Sequence, residues 1–344
     1  MNTSSHRKTL ERTAGVLAQL LGVEQRLLRF PARQPDAIAA GDGLIFIVRE
    51  ARSSSIAQVA LAAEAAQKRA TEVGRGATPL VVTPFMSEAG RERCEAAAVA
   101  WLDFSGNARI LIPGTRVVSL GMPNRFKRQG RPASAFAPQS ARLTRWLLTH
   151  SDRAWSQRNL AQATHMDEGF VSRIIGKLAE DHLIVRTDDG LVRARDPNLL
   201  LDAWREKYRF DKHQIILGHV AARSGDALLN ELGKVLSKSD VKYAATGLGA
   251  AWLLTGFAGF RLVSLYLKEQ PPSDLIERLS FREETRGANL WLIVPNDEGV
   301  FQGSTAIRGI ECVHPVQAFL DLGAHPERAK EAATELRKRL LIRN

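Results

Sequence analysis

The stretch EGFVSRIIGKLAEDHLIVRTDDGLVR, residues 168–193, constrains the fold more than any other part of the chain. Val171, Ile174, Ile175 and Leu178 recur at i, i+3, i+4 and i+7, which draws one apolar stripe along a helix. The stripe then stops. Two short runs, LIVR and LVRAR, flank TDDG, where Asp189-Gly190 suits a tight hairpin turn. Upstream, Arg142–His150 reads as a first helix with Leu143, Trp146 and Leu147 facing inward. Ser156 is placed to cap a second helix over QRNLAQAT, and Asp167, in the turn HMDE, to cap the third. Three helices and a two-stranded hairpin over residues 140–196 predict a winged helix-turn-helix.

The face of the third helix opposite its stripe carries Gly169, Ser172, Arg173 and Gly176, with Glu168 and Lys177 on the flanks. Small residues let another surface approach the helix backbone. In the usual docking of this motif the third helix, here 167–180, enters the major groove of double-stranded DNA. Arg173 is the expected base reader, because its fork matches guanine O6 and N7. Ser172 and Gly169 would face base edges or phosphate, and Phe170 either a thymine methyl or its own neighbour Ile174. Ser156, Gln157 and Arg158, at a helix N-terminus, suit phosphate contact. Arg186 and Arg193 on the hairpin would reach the sugar–phosphate backbone or the minor groove.

A winged helix can also serve protein contacts alone, and local charge weighs against that alternative. Residues 123–165 hold Arg125, Lys127, Arg128, Arg131, Arg142, Arg145, Arg153 and Arg158 against the single acid Asp152, which is +7 of a net +11. Phosphate neutralisation supplies most non-specific affinity for DNA.

Around this module the chain reads as α/β. Over residues 1–121 the apolar runs LIFIVRE, PLVVTPF and VAWLDFSGNARILI alternate with helical segments, the pattern of a sheet covered by helices. Residues 122–139 form a basic linker rich in Pro, Gly and Ser, either laid along a polyanion through Arg125, Lys127 and Arg128 or left as a solvated tether. Residues 197–344 again mix strands and helices, as a second α/β or α+β domain. A 44% hydrophobic and 25% charged composition belongs to a folded globular chain. No apolar run is long enough for a membrane span, and the polar N-terminus lacks a secretory h-region. Cys94 and Cys312 are isolated, which argues against a disulfide framework or a structural zinc and for the cytoplasm.

Enzyme signatures are poor. Glu50 in LIFIVREA is followed by Ala51 and Arg52, so the acidic–x–lysine pattern of a nuclease strand is missing. Asp103 in WLDFSGN suits a cap or an Asx-turn. His213, His219, His314 and His325 form no metal-binding spacing, and TGLGAA lacks the Lys-Ser/Thr of a phosphate loop. No cofactor, metal or catalytic residue is expected.

The helix–hairpin module followed by RDPNLLLDAW, then YAATGLGAAWLL and HPVQAFLDL, resembles the AbiEi-like antitoxin and transcription-regulator family of bacterial type IV toxin–antitoxin systems. The resemblance spans roughly 140–344, and LDFSGNARI is similar to an added, degenerate restriction-endonuclease-like domain of larger members. It implies a DNA-binding autorepressor with a nucleotidyltransferase-like C-terminal domain and a partner toxin. Active nucleotidyltransferases pair two carboxylates one residue apart to hold Mg²⁺. Here FRLVSLYL offers Val263 and Ser264 and no acid, so the resemblance implies a non-catalytic domain. Smaller members begin with the winged helix, whereas this chain places it centrally. That departure makes a pure DNA-binding regulator at least as fitting as an antitoxin scaffold that neutralises a toxin by contact. A DNA-directed nuclease or nucleotidyltransferase is the third reading, and a homodimer on a palindromic site is compatible with the first.

Overall fold

The computed structural model describes residues 3–41, 43–126, 135–257 and 259–341. The chain is a mixed α/β protein that divides into two compact units, Met1–Pro132 and Ala133–Asn344. Among the described residues no helix is long and apolar enough to cross a membrane.

The first unit runs α1 (Thr3–Leu21), β1 (Ala37–Ala40), β2 (Leu44–Glu50), α2 (Ile56–Val73), β3 (Ala77–Thr83), α3 (Glu88–Ala96), β4 (Ala100–Asp103), β5 (Ala108–Ile112) and β6 (Thr115–Ser119). The strands lie in sequence order in one sheet, with β2, β3 and β4 parallel and the outer pairings antiparallel. Alternate residues feed opposite faces. Phe46, Val48, Leu80, Val82 and Leu102 meet Leu10, Ala14 and Leu17 of α1. Val81 and Trp101 meet Val59, Ala62, Ala63 and Cys94 of α2 and α3. Helices on both faces explain why the central strands read as continuous apolar runs.

The sequence reading starts a linker at residue 122, but residues 122–126 belong to the first unit. Asn107 accepts from the Met122 N–H at 2.9 Å, and the Ser105 hydroxyl accepts from the Arg125 N–H at 3.3 Å. Lys127, Arg128 and Arg131 lie outside the described residues.

The second unit opens with α4 (Ala141–Thr149), α5 (Gln157–Thr164), α6 (Glu168–Glu180) and the hairpin β7 (Ile184–Arg186)–β8 (Val192–Ala194). Trp155 forms a single antiparallel bridge to the hairpin by exchanging both backbone hydrogen bonds with Val192 at 2.8 Å. Then follow α7 (Pro197–Lys207), β9 (Gln214–His219), α8 (Gly225–Leu236), β10 (Tyr243–Thr246), α9 (Gly247–Thr255), β11 (Val263–Leu267), α10 (Ser273–Leu279), β12 (Arg282–Glu283), β13 (Leu290–Val294), β14 (Thr305–Ile307), β15 (Ile310–Cys312), α11 (Pro315–Leu322) and α12 (Ala329–Leu336). The sheet order is β12-β9-β13-β11-β10-β15-β14. Gly247, at the start of α9, has φ +60°, and a Cβ there would stand 2.3 Å from His325 Nε2. Close packing accounts for Gly247 of TGLGAA, whereas a Cβ at Gly249 would make only ordinary contacts, 3.6 Å from Leu229.

Candidate nucleic-acid interface

The three-helix segment is built by local chemistry that the sequence already carries. The Ser156 hydroxyl accepts from the Asn159 N–H at 3.1 Å and caps α5. The chain leaves α5 through His165 in the left-handed region at φ +53°, Met166 turns inward, and Asp167 caps α6 by accepting from the Phe170 N–H at 3.0 Å. Gln157 Nε2 donates to the Glu168 carbonyl at 3.3 Å and fixes α5 against the start of α6. Val171, Ile174, Ile175 and Leu178 are all buried, as their spacing requires.

The other face of α6 is open. Glu168, Gly169, Ser172, Arg173 and Gly176 are exposed, and Phe170 and Lys177 are half-buried. The Arg173 guanidinium lies 5.6 Å from the Phe170 ring centroid, a cation–π contact that steadies the side chain without consuming its fork of donors. Lys177 pairs with Glu180 at 3.2 Å. A Cβ added at Gly176 would meet nothing within 4 Å, so no contact within the protein demands glycine there. The predicted residues of this face therefore come together on one surface, with Arg158 exposed on the neighbouring α5. Ser156 is there too, with its hydroxyl oxygen engaged as the cap of α5.

The hairpin is less uniform than its composition suggests. Arg186 pairs across with Val192, and Arg193 with Val185. These are adjacent rungs, so the pleat sends the two arginines to opposite faces. The tip carries the exposed acids Asp188 and Asp189 ahead of Gly190, which has φ +77°. Two carboxylates at the tip repel phosphate, which leaves one strand arginine as the hairpin's positive contact on either face.

Charge around the module also differs from its linear count. Arg142 is turned inward, with Nη2 donating to Asp297 at 2.7 Å and Nε to the same carboxylate at 2.9 Å. Arg145 is 3% exposed, donates through Nη2 to Gln317 Oε1 at 2.5 Å and lies 5.0 Å from the Trp204 ring. Burial pushes its pKa below the usual guanidinium value. Of the eight basic residues counted over 123–165, Arg145 is buried and Arg142 is half-buried in its ion pair with Asp297. Arg125, Arg153 and Arg158 are exposed, and Arg153 stacks 4.0 Å from the Trp155 ring. Residues 140–196 as a whole hold nine basic and eight acidic residues, a net of only +1.

Beyond Arg145 lies a buried polar network that local sequence patterns do not reveal. Asp321 is fully buried. Its Oδ1 accepts from Tyr208 at 2.5 Å, Tyr266 at 3.0 Å and Gln317 at 2.8 Å, and its Oδ2 from Thr246 at 2.5 Å. Burial raises its pKa to about 6 even so. His325 Nδ1 faces the Asp321 carbonyl at 2.7 Å, so it carries the proton, and Nε2 accepts from Ser264 at 2.8 Å. His213 Nδ1 accepts from the Asn296 N–H at 3.1 Å, which leaves Nε2 to donate toward the Tyr208 and Tyr266 hydroxyls. Burial holds both imidazoles neutral, with pKa values pushed down to about 4. Ser264 and Tyr266, two apart on β11, spend their hydroxyls on His325 and Asp321.

In the first unit Asp103 is likewise buried and saturated. It accepts from the N–H groups of Ser105, Gly106 and Asn107 at 2.9 Å and from Met86 at 3.0 Å, an Asx-turn. Glu50 accepts from the Thr9 hydroxyl at 2.8 Å. Among the described residues no three His, Cys, Asp or Glu side chains cluster as a metal site would need. No family model matches the chain, and neither a curated protein nor a solved structure matches it.

Proposed function

We propose that the protein is a sequence-specific double-stranded DNA-binding transcriptional regulator that reads the major groove with α6. The observation that carries this is the open face of α6. It is capped at its N-terminus, lined by Gly169, Ser172 and Gly176, and armed with a restrained, exposed Arg173. Three helices and a hairpin in this order make the module a winged helix-turn-helix in our reading, with α6 as recognition helix. Arg173 donates to a guanine edge, Ser172 and Gly169 admit the base edges, and Arg158, Arg125 and one hairpin arginine hold the phosphates. A net of +1 over residues 140–196 gives the module little unspecific affinity of its own. Selectivity then rests on fit.

The same reading assigns the seven-stranded sheet to a nucleotidyltransferase-like, non-catalytic fold and the chain to the AbiEi-like regulators. The non-catalytic part of that reading is supported by β11, which carries Val263 and Ser264 and no acid. The testing experiment is binding of the purified chain to the DNA upstream of its own coding region and to a scrambled duplex, over a salt series. Preference for the upstream duplex at roughly 150 mM salt is the expected result, since unspecific affinity falls steeply by then. Equal, salt-labile binding to both would overturn it.

A further inference from the structure

The first unit carries more net charge than the helix–hairpin module. Its first 126 residues hold 16 basic and 11 acidic residues, a net of +5, against +1 over residues 140–196. Six of those basic side chains are neutralised in ion pairs: Arg7 with Glu11, Arg26 with Glu24, Arg49 with Asp36, Arg69 with Glu72, Arg93 with Glu64 and Arg109 with Glu95. Lys8, Arg12, Arg52 and Arg125 are exposed and enter no ion pair among the described residues.

These four share one end of the sheet. Arg12 lies over the Phe104 ring at 3.9 Å and near the Phe126 ring at 5.4 Å, while Lys8 precedes it by one turn of α1. Phe104 follows β4, and Arg125 is tied to the same loop through Ser105. Ser105 in turn donates to the Pro84 carbonyl at 3.3 Å, and Thr83 to the Ser53 carbonyl at 3.3 Å, next to Arg52. The loops that follow β2, β3 and β4 thus form a hydrogen-bonded ledge at the carboxyl ends of the three parallel strands. That edge is the usual place for ligands on such sheets. Of the acids there, Asp103 is buried and saturated, exposed Glu50 is hydrogen-bonded by Thr9, and Glu88 at the start of α3 is exposed. Cations supported on a hydrogen-bonded ledge, one of them over an aromatic ring, match a row of phosphates.

We infer that this ledge is a second DNA-docking surface, in which Lys8, Arg12 and Arg52 neutralise backbone phosphates of the duplex and supply the sequence-independent affinity that the α6 module lacks. The choice of duplex DNA as occupant rests on the function proposed above. The test measures Kd of the full chain for a random 30-base-pair duplex across a salt series. The wild type is compared with the triple variant Lys8→Gln, Arg12→Gln, Arg52→Gln. The slope of log Kd against log salt should fall by about 2.7, at about 0.9 per lost phosphate contact. The ratio of affinities for upstream and scrambled duplexes should stay within about twofold, because phosphate contacts carry no sequence information. A companion variant with Lys at positions 12 and 52 keeps the charge and should keep the slope. An unchanged slope in the triple variant overturns the inference, as does a slope lost equally in the charge-keeping variant. Wild-type chain that binds no duplex at low salt sinks both readings together. A slope that responds only to changes at Arg158 and Arg173 sinks this one alone.

Discussion

Arg173 and Arg145 sit on helices of the same module in opposite surroundings. Arg173 is exposed over Phe170 with its donors available, whereas Arg145 is buried against Trp204 and spends a donor on Gln317. Replacing Arg173 with Ala should weaken binding to the upstream duplex by about 1–3 kcal/mol and leave random-duplex binding within error. Equal losses on both duplexes would remove its base-reading role. Replacing Arg145 with Ala should instead cost stability, about 1–3 kcal/mol in urea unfolding, because a buried hydrogen bond to Gln317 of the Asp321 network is deleted. Exposed Arg158→Ala should stay within about 0.5 kcal/mol of the wild type. If the Arg145 and Arg158 variants unfold alike, the buried network contributes nothing. Sequence could not separate these arginines. The acceptor of Arg145 lies 172 residues away and that of Arg142 155 residues away, so a linear tally counted both as free charge.

At the level of elements, α6 and its hairpin were legible, since caps, stripe and turn are all local signals. Asp167, the four buried stripe residues and Gly190 behave as their positions dictate. The opposed directions of Arg186 and Arg193 follow from cross-strand register, which depends on how long the turn is and is fixed only when the strands pair. Gly176 gives the sharpest prediction at this scale. A glycine in mid-helix costs about 1 kcal/mol against alanine, and nothing in the protein crowds its position. Gly176→Ala should therefore raise the unfolding free energy by about that amount in urea titration. Gly176→Leu should fold equally well and lose upstream-duplex binding by about tenfold or more, because its side chain fills the space a base edge would occupy. Unimpaired binding by the leucine variant would show that α6 does not approach DNA on this face.

For the whole molecule, the buried network sets the response to acid. His213 and His325 have folded pKa values of about 4, below the ordinary 6.5, so the unfolded chain takes up their protons first. Their contribution to stability is complete above pH 6.5 and is lost as pH falls toward 4. Asp321 works the other way: its folded pKa of about 6 exceeds the ordinary 3.8, so it gains stability as pH falls through that window. Two imidazoles outweigh one carboxylate. The urea midpoint should drop between pH 7 and pH 4.5, and drop more steeply in Asp321→Asn, which deletes the opposing contribution. Equal slopes would mean that Asp321 titrates normally. None of this network was legible, since its members lie on β10, β11 and α11 and around β9, brought together only by the sheet order. The two inward arginines of α4 have one more consequence. Cut from the rest of the chain, residues 140–196 would present Arg142 and Arg145 to water without Asp297 or Gln317, together with the apolar side of α4 that packs on α7. The helix–hairpin is therefore no transplantable cassette. A chimera that grafts it onto another protein has to bring the C-terminal sheet with it.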